Sequence, residues 1–369
     1  WQYAAAPRVP NTVWRSSKLA SLAGTIVSSD SAARDIGPSV PGRPHVLRYA
    51  RRVAGLHPWL GVAVVAVCAA AAFAGGLLYW RGRGMGGSSA INGQIAIRGM
   101  LEDFDIWAEH GCTGWSGQEV LAAFIRLEND LDFGDKPYHG RGGPIPIYRA
   151  PRDRWGAVDK ALCDAALDLG YGWADDHNAP GSSGVSPYAI NNFDDVRVST
   201  NDGYLEPARA RPNLTIRGDV VVGCVCFDGR RATGVKAVRR DGWREFQARE
   251  TIIACGAVHS PGVLIRSGIG PAAQLAHLGI PVVADLPVGE NLCDHSSVWL
   301  GLKLRAEARV ATVDHRHTNC CVRFSSSMAG TGTNDMFMAS MNILGYDDEG
   351  RDRGLIIVAT FQTFSKGWI

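Results

Sequence analysis

The chain has 369 residues, 46% of them hydrophobic and 20% charged, with a formal net charge of +2 at pH 7. That length fits two domains with sizeable cores, and the even charge balance argues against a nucleic-acid or anionic-membrane binder. Nine cysteines occur without a C-x-x-C pair, which disfavours a disulfide framework or a zinc site and fits a reducing, cytoplasmic setting.

Residues 1–77 read as an atypical N-terminal segment, because 8–58 are rich in Arg, Pro and Ser without a sustained period. Leu60–Trp80 carries no charge and is long enough to span a bilayer. It is rich in Ala and Gly, which insert poorly, and it runs directly into a glycine-rich loop. A membrane anchor is therefore kept only as an alternative.

That loop is "RGRGMGGSSAING", residues 81–93. Gly82–Gly87 match G-x-G-x-x-G literally, but Asn92-Gly93 would break the helix that a dinucleotide fingerprint requires. A phosphate loop of the nucleotide-hydrolase kind needs a lysine, and none lies between 81 and 93. A third reading is a concave nest in which Gly86, Gly87, Ser88 and Ser89 offer successive backbone N–H groups to a pyrophosphate, with the Asn92 amide beside it. A solvated surface loop is the open alternative from this stretch alone.

Further along, Ser116 with Glu119 three residues on predicts a capping box opening a helix to about Asn129. Val158, Leu162, Ala166 and Leu169 recur at helical spacing, which predicts a helix over 155–169 stopped by Gly170. From 213 the pattern becomes strand-like and breaks at Asp228-Gly229, a hairpin signal. "ETIIACGA", 250–257, predicts a short apolar strand ending at glycine, and "IPVVADLPVGENLCDH" predicts another strand and a loop. The tail, 297–369, mixes strand-like and polar stretches.

Three stretches carry a resemblance. "YWRGRGMGGSSAINGQIAIRGMLEDFD" resembles the first signature of the glucose–methanol–choline (GMC) oxidoreductases, "GAVHSPGVLIRSGIGP" (256–271) the second, and "LPVGENLCDH" (286–295) the stretch that follows it. The resemblance implies an α/β fold: an incomplete FAD/NAD(P)-binding, Rossmann-like domain from 78–150 and 196–296, and an α+β substrate-binding domain from 151–195 and 297–369. It implies oxidation of a small-molecule alcohol by FAD, with the electron acceptor left open. Carried over by position, Gly86, Gly87, Ser88 and Ser89 lie along the FAD pyrophosphate and ribityl chain. Asn92, Gly93 and Ile95 lie beside the isoalloxazine ring. Val222, Ala254 and Gly256 lie near the adenine half. Some members bind FAD covalently through a histidine at the position of Ile91; isoleucine forms no such bond, so noncovalent FAD is expected.

In the family the Rossmann fingerprint precedes the region of Trp1 and the catalytic histidine follows that of Ile369. The expectation is thus a fragment, with residues 8–76 foreign, FAD affinity low, no catalytic residue within the chain and no activity as given. A flavin-free binding module is the remaining alternative. Other candidates are given modest roles. Asp294 and His295 fix a turn; His315 and His317 lack the accompanying ligands of a metal site. His110 and His139 cap loops or face solvent, and Cys320-Cys321 is buried.

Overall fold

The computed structural model describes residues 79, 81–345, 348–361 and 364–369, all of which lie in one of the two units into which the chain divides. Segment 1–77 and nearly all of the apolar run 60–80 lie outside the described residues. Among those described, no helix is long and apolar enough to cross a membrane. The architecture is mixed α/β.

Helices α1 (Leu101–Glu109) and α2 (Gly117–Leu127) meet through an edge-to-face contact of Phe104 with Phe124, centroids 6.1 Å apart. The α2 start is the one the sequence predicts: the Ser116 N–H donates to Glu119 Oε2 at 3.0 Å. Strand β1 (Glu128–Asp130) then pairs in parallel with β2 (Ile145–Arg149). Helix α3 spans Ala157–Asp168, inside the predicted range, because Gly156 and Trp155 are already extended. Strands β3 (Gly184–Pro187) and β4 (Ala189–Ile190) follow, and β4 pairs with β2. The short hairpin β5 (Asn192–Phe193) and β6 (Val196–Arg197) comes next.

A meander of β7 (Val221–Asp228), β8 (Arg231–Arg239) and β9 (Gly242–Gln247) turns first at Asp228-Gly229, where Gly229 adopts φ 57°. Helix α4 (Gly256–Arg266) packs on β7; Arg266 Nε donates to the Gly223 carbonyl at 2.8 Å. Strands β10 (Ile269–Gly270) and β11 (Ala284–Asp285) pair in parallel, with α5 (Ala272–His277) between them in sequence. The strand predicted within 250–257 does not form. A strand exists through its ladder, and among the described residues 251–254 have no pairing partner; Ile252 is 81% exposed.

Short β12 (Glu290–Leu292) pairs with β17 (Gly367–Trp368). The largest sheet takes β13 (Ser297–Lys303), β14 (Cys320–Phe324), β15 (Met336–Met341) and β16 (Arg353–Thr360) together with β3, in the order β13-β16-β15-β14-β3 and antiparallel throughout. Its two faces follow the period-2 alternation of a strand. Cys320 and Val322 pack with Leu162, Cys163 and Ala166 of α3. Cys321 points the other way, into a cluster with Tyr188, Ile190, Phe337 and Ala339. This second face forms the wall of a cavity.

Candidate active site

The cavity has a volume of about 1120 Å³. One side is the segment from Ile91 to Met100; another is the sheet face carrying Phe337, Ala339, Ile357 and Ala359; the loop 313–319 also borders it. Phe337 stacks on Phe361, centroids 4.9 Å apart and planes inclined by 24°, which makes this wall aromatic and apolar. Asn192, Asn319 and Asn334 also line the cavity, each at least 97% buried with an Oδ1 that has no hydrogen-bond partner among the described residues.

The glycine loop leads into this wall. Gly86 and Gly87 adopt φ 81° and 53°, the left-handed region that glycine enters without strain, and open a 3-10 turn over Gly87–Ala90. That turn alters the expected nest. The Gly87 N–H donates to the Gly84 carbonyl and the Ser89 N–H to the Gly86 carbonyl, both at 3.1 Å, so two of the four N–H groups turn back into the loop. The Ser88 hydroxyl accepts from the Gly82 N–H at 3.2 Å, and the Ser89 hydroxyl accepts from the Thr200 N–H at 3.0 Å. Arg197 fixes the end of the loop: Nη1 donates to the Ser89 carbonyl at 3.0 Å and to Asn92 Oδ1 at 2.7 Å, and Nη2 donates to the Asn92 carbonyl at 2.6 Å. The Asn92 Nδ2 group has no partner among the described residues.

Asn92, Gly93 and Ile95 border the cavity, and Ile91 joins them. Gly86 to Ser89 sit earlier on the same loop. Val222, Ala254 and Gly256 do not line the cavity: Val222 pairs with Ala237 in the meander, exposed Ala254 precedes α4, and exposed Gly256 is its first residue.

A buried charge cluster positions the segment that follows. Arg98 Nη2 donates to Glu128 Oε1 at 2.5 Å and Nη1 to the Tyr138 carbonyl at 2.7 Å. His139 places Nδ1 2.7 Å from Glu128 Oε1 and Nε2 2.7 Å from Asp176 Oδ2. Arg149 donates to Asp130 at 3.0 Å and to Asp176 at 2.7 Å. Burial disfavours charge on His139, yet the hydrogen bonds to Asp176 and Glu128 prevail and raise its pKa. Burial likewise opposes the Glu128 and Asp176 carboxylates, but the bonds from His139 and the charges of Arg98 and Arg149 hold both below the ordinary range. His139, read from sequence as a loop cap or solvent-facing side chain, is thus the buried centre of three acids and two arginines. Glu128, Asp130 and His139 offer atoms within 4.8 Å of one another, a spacing a cation could use, but the two guanidiniums already supply the positive charge there.

His177, from the next turn, has its pKa pushed down to about 3 by burial and by nearby Arg323. His295 sits at the cavity edge with Nδ1 2.7 Å from the Thr360 carbonyl, and its N–H donates to Asp294 Oδ1 at 2.9 Å. The cavity residues Tyr188, Asn192, Asn319, Asn334, Arg316 and Arg323 carry no sequence motif. The alternation of Phe337 and Ala339 in β15 was the one signal that could have placed part of the wall.

The family model described as GMC oxidoreductase matches residues 24–297. The chain is 39% identical over 266 residues to a 5-(hydroxymethyl)furfural oxidase from Methylovorus sp. strain MP688, covering 70% of this chain and 50% of that protein. It is 42% identical over 226 residues to an oxygen-dependent choline dehydrogenase from Pseudomonas putida, covering 60% of this chain and 40% of the relative. Pyridoxine 4-oxidase from Mesorbium loti superposes with a TM-score of 0.68 at 27% identity, covering 78% of this chain and 58% of that one. The chain thus spans about half the length of the curated relatives it matches. With a family model covering most of its length and a cavity bordered by its first signature, this chain belongs to the GMC oxidoreductase family.

Proposed function

We propose that this chain supplies the flavin-facing loop and the substrate wall of an FAD-dependent oxidoreductase that oxidises the CH–OH group of a small-molecule alcohol. One observation carries the reading: Asn92, Gly93 and Ile95 share a single large cavity with the apolar face of the substrate-side sheet. The residues fit the group. A volume of about 1120 Å³ holds a flat tricyclic ring and a small alcohol together. A Cβ built on Gly87 meets nothing within 4 Å, and one on Gly93 meets only the Ile95 side chain, so the loop leaves open space beside its backbone.

Bound FAD supplies the hydride acceptor. This chain's residues hold and exclude. Arg197 fixes the Asn92 Oδ1, which would leave its Nδ2 to donate to the ring edge. Gly86, Gly87, Ser88 and Ser89 would flank the pyrophosphate and ribityl chain, and Val222, Ala254 and Gly256 would serve the adenine half. Phe337, Ile357 and Phe361 exclude water from the alcohol carbon. Ile91 leaves the flavin noncovalent.

FAD and riboflavin titrated into the purified chain, followed by quenching of flavin fluorescence, test the reading. Weak but saturable binding is expected at high flavin concentration, weakened about tenfold or more by Gly93→Trp, which fills the ring side of the cavity. Saturable binding that Gly93→Trp leaves untouched, or no binding of either flavin, overturns it.

A further inference from the structure

Five arginines line the cavity: Arg98, Arg154, Arg197, Arg316 and Arg323. Four are engaged. Arg98 pairs with Glu128, and Arg154 Nη2 pairs with Asp195 at 2.6 Å. Arg197 donates to the Ser89 and Asn92 carbonyls. Arg323 donates to the carbonyls of His177 at 3.1 Å and Arg98 at 2.9 Å.

Arg316 differs. Its Nε donates to the Thr318 carbonyl at 3.0 Å, within its own loop. Among the described residues its two Nη groups have no hydrogen-bond partner, and no carboxylate lies within salt-bridge distance. Burial pushes its pKa down to about 10, outweighing the opposing charges of Asp195 and Asp159, neither of which bonds it. The nearby acids are committed elsewhere or open to solvent. Asp195 holds Arg154; buried Asp159 accepts from Asn319, Ser340 and Asn342; Asp314 is exposed. His315 and His317 beside it have lowered pKa values, chiefly through burial, and so add no further positive charge near pH 7.

A planar guanidinium with two free Nη groups matches the two oxygens of a carboxylate. We propose that Arg316 is a carboxylate-binding residue of the substrate pocket, and that the alcohol accepted here is a small ring alcohol bearing a carboxylate. The inference rests on the cavity being the alcohol site proposed above. The apolar sheet face of Phe337, Ala339, Ile357 and Ala359 takes the ring, and Arg316 takes the charged end. An alcohol carrying a quaternary ammonium would meet an uncompensated like charge instead.

Calorimetric titration of the purified chain with 4-(hydroxymethyl)benzoate, and in parallel with benzyl alcohol, tests this. The carboxylate is expected to bind about tenfold tighter or more. Arg316→Gln should bring the ratio to near one, and Arg316→Lys, which keeps the charge but not the fork, should leave an intermediate ratio. Equal binding of the two ligands by the unsubstituted chain overturns the proposal, and so does a preference that Arg316→Gln leaves intact. Should Arg316→Gln fail to fold, salt decides: a carboxylate preference that added chloride does not reduce overturns it, and one that chloride erodes supports it. The flavin titration separates the two readings. Flavin binding without carboxylate preference sinks this inference alone; carboxylate preference without flavin binding sinks the flavin reading and leaves the subsite.

Discussion

Arg323 reaches out of β14 and donates from Nη2 to the backbone carbonyl of Arg98 at 2.9 Å. The same guanidinium donates from Nη1 to the His177 carbonyl at 3.1 Å, and the residue is almost fully buried. One side chain of the five-stranded sheet thus fixes the extended segment that continues the glycine-rich loop 81–93. Replacing it by Met would leave two buried carbonyls without donors, a loss of roughly 2–4 kcal/mol. Urea unfolding of Arg323→Met checks this; a change below about 0.5 kcal/mol would show that water or another donor already serves both carbonyls.

The His139 cluster makes stability depend on pH in a defined direction. With its pKa raised above 6.5, the imidazolium contributes fully below about pH 6.5, and the contribution fades as pH rises through the folded-state value. Glu128 and Asp176 act in the opposite sense: their pKa values are depressed below 4.5 and 3.8, so their contribution is present above those values and fades as pH falls through the depressed ones. The cluster is therefore most stabilising between about pH 4.5 and 6.5. The difference in unfolding free energy between the unsubstituted chain and His139→Gln should be largest near about pH 5.5 and shrink toward about pH 8.5. A flat difference across that range means a neutral imidazole.

Ile91, which the family resemblance aligns with the histidine of covalent flavoproteins, borders the cavity and is about half exposed. An alkyl side chain has no nucleophile to offer. Flavin bound to this chain should therefore leave with the supernatant after acid precipitation. Yellow colour retained in the washed pellet would point to another attachment residue.

Local chemistry was legible in the sequence and tertiary closure was not. The Ser116–Glu119 cap and the Asp228-Gly229 turn are each decided within a few residues, and both formed where read. The loop 81–93 was recognisable because its glycines and Asn92 recur in a family signature, but the 3-10 turn that folds back the Gly87 and Ser89 N–H groups depends on contacts with Thr200 and Arg197, over a hundred residues away. The strand read at 250–257 is apolar enough to be one, yet a strand needs a neighbour. His139 is harder still. Its partners Glu128 and Asp176 each look like ordinary surface charges until β1, β2 and the turn at Asp176–Asn178 are brought together. Arg316 has the same character, since only the folded chain reveals that no carboxylate among the described residues pairs with it.

Asp159 shows how the cavity wall is held. It is fully buried in the first turn of α3, where the helix N-terminus favours an anion. Oδ1 accepts from the Asn319 N–H at 3.1 Å and the Ser340 hydroxyl at 2.6 Å; Oδ2 accepts from the Gly156 N–H at 3.1 Å, Asn319 Nδ2 at 2.7 Å and Asn342 Nδ2 at 2.5 Å. Asn319 and Ser340 line the cavity, so the carboxylate fixes the end of the loop that carries Arg316. Gly156 is part of the same construction for a steric reason. A Cβ there would stand 2.1 Å from Asn342 Oδ1 and 2.2 Å from its Cγ, while its φ of −74° is ordinary for any residue. Gly156→Ala should thus destabilise by displacing Asn342, by roughly 2–4 kcal/mol. Because the two residues share one space, Gly156→Ala with Asn342→Ala should cost clearly less than the sum of the singles, a coupling of about 1 kcal/mol or more. Denaturant midpoints of the three variants measure it, and strict additivity would mean that Asn342 is not what the methyl group strikes.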